Sequence, residues 1–221
     1  MNKKPIVSQI GKSYLGLGIE SFEFKASDRS ILVVGGVHGD EVEGVDLCRM
    51  LIAAHMDNQI RDGISYLPCI NVDGYLLHTR ANFNGVDLNR NLNTSNWIAN
   101  AVNERYQPGS QPLSEIENKV FVQEIKRVNP QIIISLHSFT KKLFLWNGIE
   151  KSLNTNVVTA ASTELGIDLV SKMNYDVYGS LSIWGRENGI DVLTVEAPRG
   201  DEWNIWRDKY FNSLKWILNE L

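Results

Sequence analysis

Cysteine is scarce in this 221-residue sequence: there are two, Cys48 and Cys69, and neither belongs to a Cys-x-x-Cys pair. Each is embedded among apolar residues, so both read as buried free thiols rather than as a disulfide, and a cytoplasmic protein is expected. Charge of one sign is also missing. The 22 basic and 26 acidic side chains leave a formal net charge of -4, and no cluster of Lys and Arg offers a footprint for a phosphate backbone, so nucleic acid is excluded as a partner. No stretch approaches the roughly 18 apolar residues that a membrane helix needs. Met1-Asn2-Lys3-Lys4 has the charged start of an export signal, but Ser8, Gln9, Lys12 and Ser13 prevent an apolar run from developing after it, and no signal is read. Repeats, low-complexity tracts and Pro/Ser-rich linkers are absent, and composition does not shift between the halves. With 43% hydrophobic and 22% charged residues, the chain reads as one globular domain over 1–221.

Four short β-branched runs stand out as strands: Ile31 to Val34, Ile64 to Cys69, Gln131 to Leu136 and Val192 to Val195. Continuous apolar runs of this length suit strands buried on both faces. Helical spacing appears between them, in Val42, Val45, Leu51 and Ile52, in Ile116, Val120, Phe121, Ile125 and Val128, and at the close in Leu214, Ile217, Leu218 and Leu221. Ser114 and Glu117 have capping-box spacing at the start of the second helix, and Asp40 with Glu43 suggests the cap of the first. Strands alternating with helices predict an α/β fold with a mixed, largely parallel sheet flanked by helices. From Gly74 to Gln111 the chain is rich in Asn and Gly with little periodicity, a length of irregular chain that needs a functional reason to be ordered.

Chemistry gathers where the buried strands end. His38 and Glu41 come after the Ile31 run and lead into a helix; His137 comes after Ile132-Ile133-Ile134-Ser135-Leu136; Glu196 comes after Val192-Leu193-Thr194-Val195. Ligand sites of open α/β sheets lie beyond the carboxyl ends of strands, so these side chains can converge. Two His and one Glu form the ligand set of a catalytic zinc site with a position left open to water. A further carboxylate at Glu196 then suits a general base. In the irregular segment, Arg80, Asn89 and Arg90 offer a planar fork and an amide donor for a carboxylate or an oxyanion.

His38-Gly39-Asp40-Glu41, Asn71-Val72-Asp73-Gly74-Tyr75, Gly85-Val86-Asp87-Leu88-Asn89-Arg90-Asn91, Leu136-His137-Ser138 and Thr194-Val195-Glu196 resemble, in order, the signatures of the zinc carboxypeptidases of the carboxypeptidase A superfamily. The resemblance runs from about Ile31 to Pro198. It implies that fold, one zinc ion per chain held by His38, Glu41 and His137, and Glu196 as catalytic base. Arg80 matches the arginine that supports the oxyanion, and Asn89 and Arg90 match the pair that binds the substrate's terminal carboxylate. For the active-site tyrosine, both Tyr175 and Tyr178 are candidates.

Within the superfamily the chain is most similar to the small cytoplasmic bacterial murein tripeptide amidases, in Thr79 to Asn91 and in Tyr178-Gly179-Ser180-Leu181, although Val177-Tyr178-Gly179 stands where a proline before Gly-Ser is expected. That likeness implies hydrolysis of the bond between γ-D-glutamate and meso-diaminopimelate in cell-wall recycling, with a small murein peptide as partner. Arg186 and Glu187 are candidates to meet the charged side chain of diaminopimelate. Two other readings stand beside this one. Succinylglutamate desuccinylases and aspartoacylases share the zinc site and deacylate small amino acids, but Asn71 to Tyr75 and the lack of a sizeable C-terminal domain favour the peptidase. A metal-free binding module on the same fold is opposed by the presence of all three ligands and Glu196.

Overall fold

In a computed structural model, which describes residues 2–101, 103–147 and 154–221, eight strands form one sheet in the order β1-β2-β4-β3-β5-β8-β6-β7. In chain order these are β1 (Ile6–Lys12), β2 (Gly18–Phe24), β3 (Ile31–Val34), β4 (Ile64–Leu67), β5 (Ile132–Ser138), β6 (Leu143–Asn147), β7 (Asp168–Val170) and β8 (Asp191–Ala197). The pairs β3–β4, β3–β5, β5–β8 and β6–β7 are parallel. The β1–β2, β2–β4 and β6–β8 pairs are antiparallel. The helices are α1 (Val42–Met56), α2 (Val72–Leu77), α3 (Ile116–Val128), α4 (Asn154–Leu165), α5 (Leu181–Glu187) and α6 (Asp201–Glu220).

Helices cover both faces, which is why the central strands are apolar throughout. Ile31, Val33, Ile132, Ile134, Leu193 and Val195 pack with residues of α1, α4 and α6. The alternate residues Leu32, Val34, Ile133 and Val192 pack with α3 and α5. Fully burying each such aliphatic side chain is worth about 1.5–3 kcal/mol, so this two-sided packing holds the centre of the sheet rigid. The expected strand β3 has the bounds read from sequence, while β5 and β8 run further, through His137 and Glu196, because the two pair over seven residues.

Two expected caps are corrected. Helix α1 starts at Val42 with Glu41 as its N-cap residue, and Asp40 lies outside it, beside Arg199. Helix α3 starts at Ile116 with Glu115 at the cap. Ser114 Oγ instead donates to Glu115 Oε1 and accepts from Asn91 Nδ2, and Glu117 accepts from Asn82, so both members of the expected box serve the irregular segment. That segment is ordered by such side-chain bonds: Asn91 Nδ2 also reaches the carbonyl oxygens of Pro108 and Gln111, and Asn82 reaches Glu115. Cys48 and Cys69 are free and buried. No helix among the described residues is long and apolar enough to cross a membrane.

Candidate metal centre and active site

His38 and Glu41 stand in the turn between β3 and α1, at the carboxyl end of the most buried strand. Gly39 lets that turn sit close, since a Cβ there would fall inside the backbone of Gly74. His137 comes from the end of β5. All three side chains are at least 95% buried, and one ligand atom from each lies within 4.8 Å of the others. Glu41 bridges the two rings, with Oε1 2.8 Å from His38 Nδ1 and Oε2 2.7 Å from His137 Nδ1, and the two Nδ1 atoms are 3.2 Å apart.

The far nitrogen of each ring is already engaged. His38 Nε2 is 3.0 Å from Asp87 Oδ1, and His137 Nε2 is 3.0 Å from Ser135 Oγ. A carboxylate behind His38 holds the proton on Nε2 and leaves the Nδ1 lone pair facing Glu41, the arrangement that surrounds metal-binding histidines. Two imidazole nitrogens and a carboxylate turned toward one another are a donor set for a cation. With bonds near 2.0–2.1 Å, ligand atoms of tetrahedral zinc stand roughly 3.3 Å apart, which the two Nδ1 atoms match at 3.2 Å while the Glu41 oxygens stand closer, at 2.8 and 2.7 Å; two nitrogens and a carboxylate so placed fit zinc by the chemistry of the set. Burial works against charge on Glu41 and Asp87, yet the neighbouring histidines, with arginines beside Asp87, hold both carboxyls below their usual range.

Glu196 lies beside His137 on the adjacent strand, the two being direct partners in the β5–β8 register. Its carboxylate has no hydrogen-bond partner among the described residues. Burial is the main cause that pushes its pKa up to about 7; Glu41 adds to the shift, while His137, Arg80 and Arg199 oppose it. A carboxyl poised near neutrality can take up and release a proton at working pH.

Arg80 donates from Nε to Asp87 Oδ2 at 3.0 Å and from Nη1 to Glu41 Oε1 at 3.2 Å. Asn89 and Arg90 belong to a 3-10 turn, Leu88–Arg90, in which the Asp87 carboxylate accepts from Asn89 N. Asn89 Oδ1 accepts from Leu181 N at 2.9 Å, which leaves the amide NH2 without a partner among the described residues. Arg90 is 7% exposed, donates to Asn89 O, and forms no ion pair with any described residue. His38, Glu41, His137, Arg80, Asn89, Tyr175 and Glu196 line one cavity of about 300 Å³. Arg90 joins Asn89, His137 and Glu196 on a smaller recess that opens beside it.

Of the two tyrosines, Tyr175 is on the cavity, whereas Tyr178 turns away and bonds Asp176 at 3.3 Å. Arg186 and Glu187 do not act as a pair. Glu187 binds the backbone and hydroxyl of Ser95, because successive helix positions point about 100° apart. Three residues at the site lie outside the roles that the sequence motifs suggest. Asp87 orients His38; Tyr106 lies under both arginines, with guanidinium carbons 5.3 and 4.7 Å from its ring centre; Arg199 binds Ser138 and stands 3.6 Å from Glu41. An acid between the apolar Val86 and Leu88 is a visible signal for Asp87, but nothing in the local sequence points to Tyr106.

Known proteins resemble this arrangement. A family model described as zinc carboxypeptidase matches residues 4–188, a span that stops short of Glu196. Murein peptide amidase A of Escherichia coli (strain K12) is 28% identical over 206 residues, covering 88% of this chain and 82% of that protein. The crystal structure of murein-tripeptide amidase from Escherichia coli O157 superposes with a TM-score of 0.80 at 27% identity, over 98% of this chain and 93% of that one. The carboxypeptidase A of Helicoverpa armigera shares the fold at 17% identity, with a TM-score of 0.77 over 98% of this chain and 68% of its own.

Proposed function

The chain belongs to the zinc carboxypeptidase family, and from that premise we propose that residues 1–221 form a single catalytic domain using one zinc ion to hydrolyse the amide bond before a terminal residue with a free carboxylate. The bond is that between γ-D-glutamate and meso-diaminopimelate in murein tripeptide. The observation that carries this reading is that Asn89 and Arg90, a carboxylate-binding pair with no acidic partner of their own, share a recess with His137 and Glu196. The relatives named murein peptide amidase support the choice of bond. Two free buried thiols support the cytoplasm as its compartment.

His38, Glu41 and His137 would hold the ion, with Asp87 and Ser135 fixing the two rings. Zinc bound there supplies Lewis-acid polarisation of the scissile carbonyl and a lowered pKa for water. Arg90 and the Asn89 amide grip the terminal carboxylate, which sets the scissile bond over the cavity. Glu196 takes the proton of the attacking water and passes it to the departing amine, a cycle its pKa of about 7 suits. Arg80, anchored through Asp87, turns its remaining donors to the oxyanion, and Tyr175 closes the cavity wall over the substrate.

The test compares L-alanyl-γ-D-glutamyl-meso-diaminopimelate with the same peptide amidated at the terminal carboxylate, and with N-succinylglutamate. Capping removes a charge-assisted bidentate contact and leaves Arg90 unsatisfied, a loss on the order of 2–4 kcal/mol, or roughly thirty- to a thousandfold in kcat/KM. Equal cleavage of the free and capped peptides, or cleavage of the succinyl amide alone, overturns the carboxypeptidase reading.

A further inference from the structure

The recess that holds Asn89, Arg90 and Glu196 shares its wall of Leu145, Met173, Tyr175, Val177 and Ser182 with a second cavity of about 230 Å³. Arg186, in the last turn of α5, lines that second cavity. Its Nε donates to Asn147 Oδ1 at 2.8 Å, and Asn147, itself 3% exposed at the end of β6, is tied through Nδ2 to the carbonyl of Ser182. Anchoring by Nε fixes the plane of the guanidinium and leaves the paired Nη donors free. No described carboxylate forms an ion pair with them. A planar cation held still, beyond the place where the leaving residue's own carboxylate is gripped, matches a second carboxylate at bidentate geometry.

We infer that Arg186 is the specificity residue that selects the distal side-chain carboxylate of the diaminopimelate released in the proposed reaction. This rests on the proposed direction of substrate binding, with the leaving residue on the side of Asn89 and Arg90. A purely cationic or apolar side chain of the same length leaves the fork unsatisfied, and a cation brings like charge against it.

Lysine is diaminopimelate without its distal carboxylate, so the two tripeptides ending in these residues differ only in the group at issue. The zinc-loaded enzyme is expected to prefer the diaminopimelate peptide by on the order of ten- to a hundredfold in kcat/KM. Arg186→Met, an exposed position with the stem retained, removes that preference by lowering the diaminopimelate figure, while the lysine figure does not fall. Equal turnover of both peptides by the unaltered enzyme, or an equal fall on both in the variant, overturns the inference. If neither γ-D-glutamyl peptide is cleaved, the proposed substrate is wrong, and benzoylglycyl dipeptides ending in α-aminoadipate or norleucine put the same question. Calorimetric binding of free meso-diaminopimelate and free lysine reads Arg186 without turnover: tighter binding of the former, lost in Arg186→Met, supports the assignment, and its absence refutes it.

Discussion

Replacing Asp87 by Asn tests how the metal site is held. Asp87 is fully buried, and its two oxygens serve three groups: Oδ1 faces His38 Nε2 at 3.0 Å and caps Asn89 N at 2.9 Å, while Oδ2 takes Arg80 Nε at 3.0 Å and Nη2 at 2.9 Å. Asn has the same shape. It keeps one oxygen for the turn and for His38, but presents an NH2 to Arg80, donor against donor, and loses the charge that backs the imidazole. Arg80 is then left to Glu41 alone, its side chain only 15% exposed, and pulls on a metal ligand. Loss of such a supporting carboxylate typically weakens metal binding ten- to a hundredfold, about 1.4–2.8 kcal/mol. Competition titration against a chelating dye is expected to find zinc weakened within that range, with far-ultraviolet circular dichroism unchanged. Asp73→Asn is the control. Asp73 is equally buried but binds Ser13 and Leu15 N, so its loss lowers stability and leaves zinc affinity intact. Zinc affinity within twofold of the unaltered protein in Asp87→Asn would refute the claim that Asp87 orients His38.

Glu196→Gln is expected to retain zinc and fold while losing on the order of a hundred- to ten-thousandfold in kcat, since an amide cannot accept the proton of the attacking water; near-normal turnover at unchanged metal content moves the base elsewhere. Zinc at about a thousandfold over its dissociation constant stabilises the fold by about 4 kcal/mol, or on the order of 10 °C in Tm, and His137→Ala abolishes that response; full zinc occupancy in the variant overturns the ligand assignment. His55, stacked on Phe24 at 3.7 Å, has its pKa lowered to about 4 by burial, against which Asp62 acts. The unfolded chain therefore binds a proton near pH 6.5 that the folded chain refuses until about 4, so the midpoint of urea unfolding falls as pH drops through that window, and His55→Gln flattens the slope.

The central strands were legible because burial on both faces writes itself as unbroken Ile, Leu and Val. Strand β6, Leu143–Asn147, lacks a β-branched residue, β7 is three residues long, and β1 is an exposed edge with Ile6 and Val7 about half accessible, so none carries that signature. The convergence of His38, Glu41 and His137 is legible for a related reason: a His or Glu directly after such a run has one place to be. Tyr106 was not, because it reaches the arginines from a loop that is ordered by Asn91 and Asn82 rather than by any periodic pattern. Which of Tyr175 and Tyr178 lines the cavity likewise depends on the course of an irregular loop.

Pairing of β5 with β8 explains why His137 and Glu196 are neighbours. In a parallel pair, partners in register project to the same face, and alternate residues share that face. Ile133 and Val192 are partners packed against α3 and α5, so Ser135 with Thr194, and His137 with Glu196, come on that same face two and four residues later. Leu136 and Val195, between them, point into the opposite core. The helical cover ends where these polar residues begin, and Ser135 and Thr194 line the recess beside Asn89 and Arg90. Their presence in otherwise apolar strands is thus a consequence of position: below them the face is covered by helices, and at their level it borders the recess. A slip of one residue in β5 would bury His137 among aliphatic side chains and turn Leu136 into the cavity. The apolar residues beneath the site therefore hold its register, and a core substitution at Ile133 or Val192 acts on the distance from His137 to Glu196 before it acts on either group's chemistry.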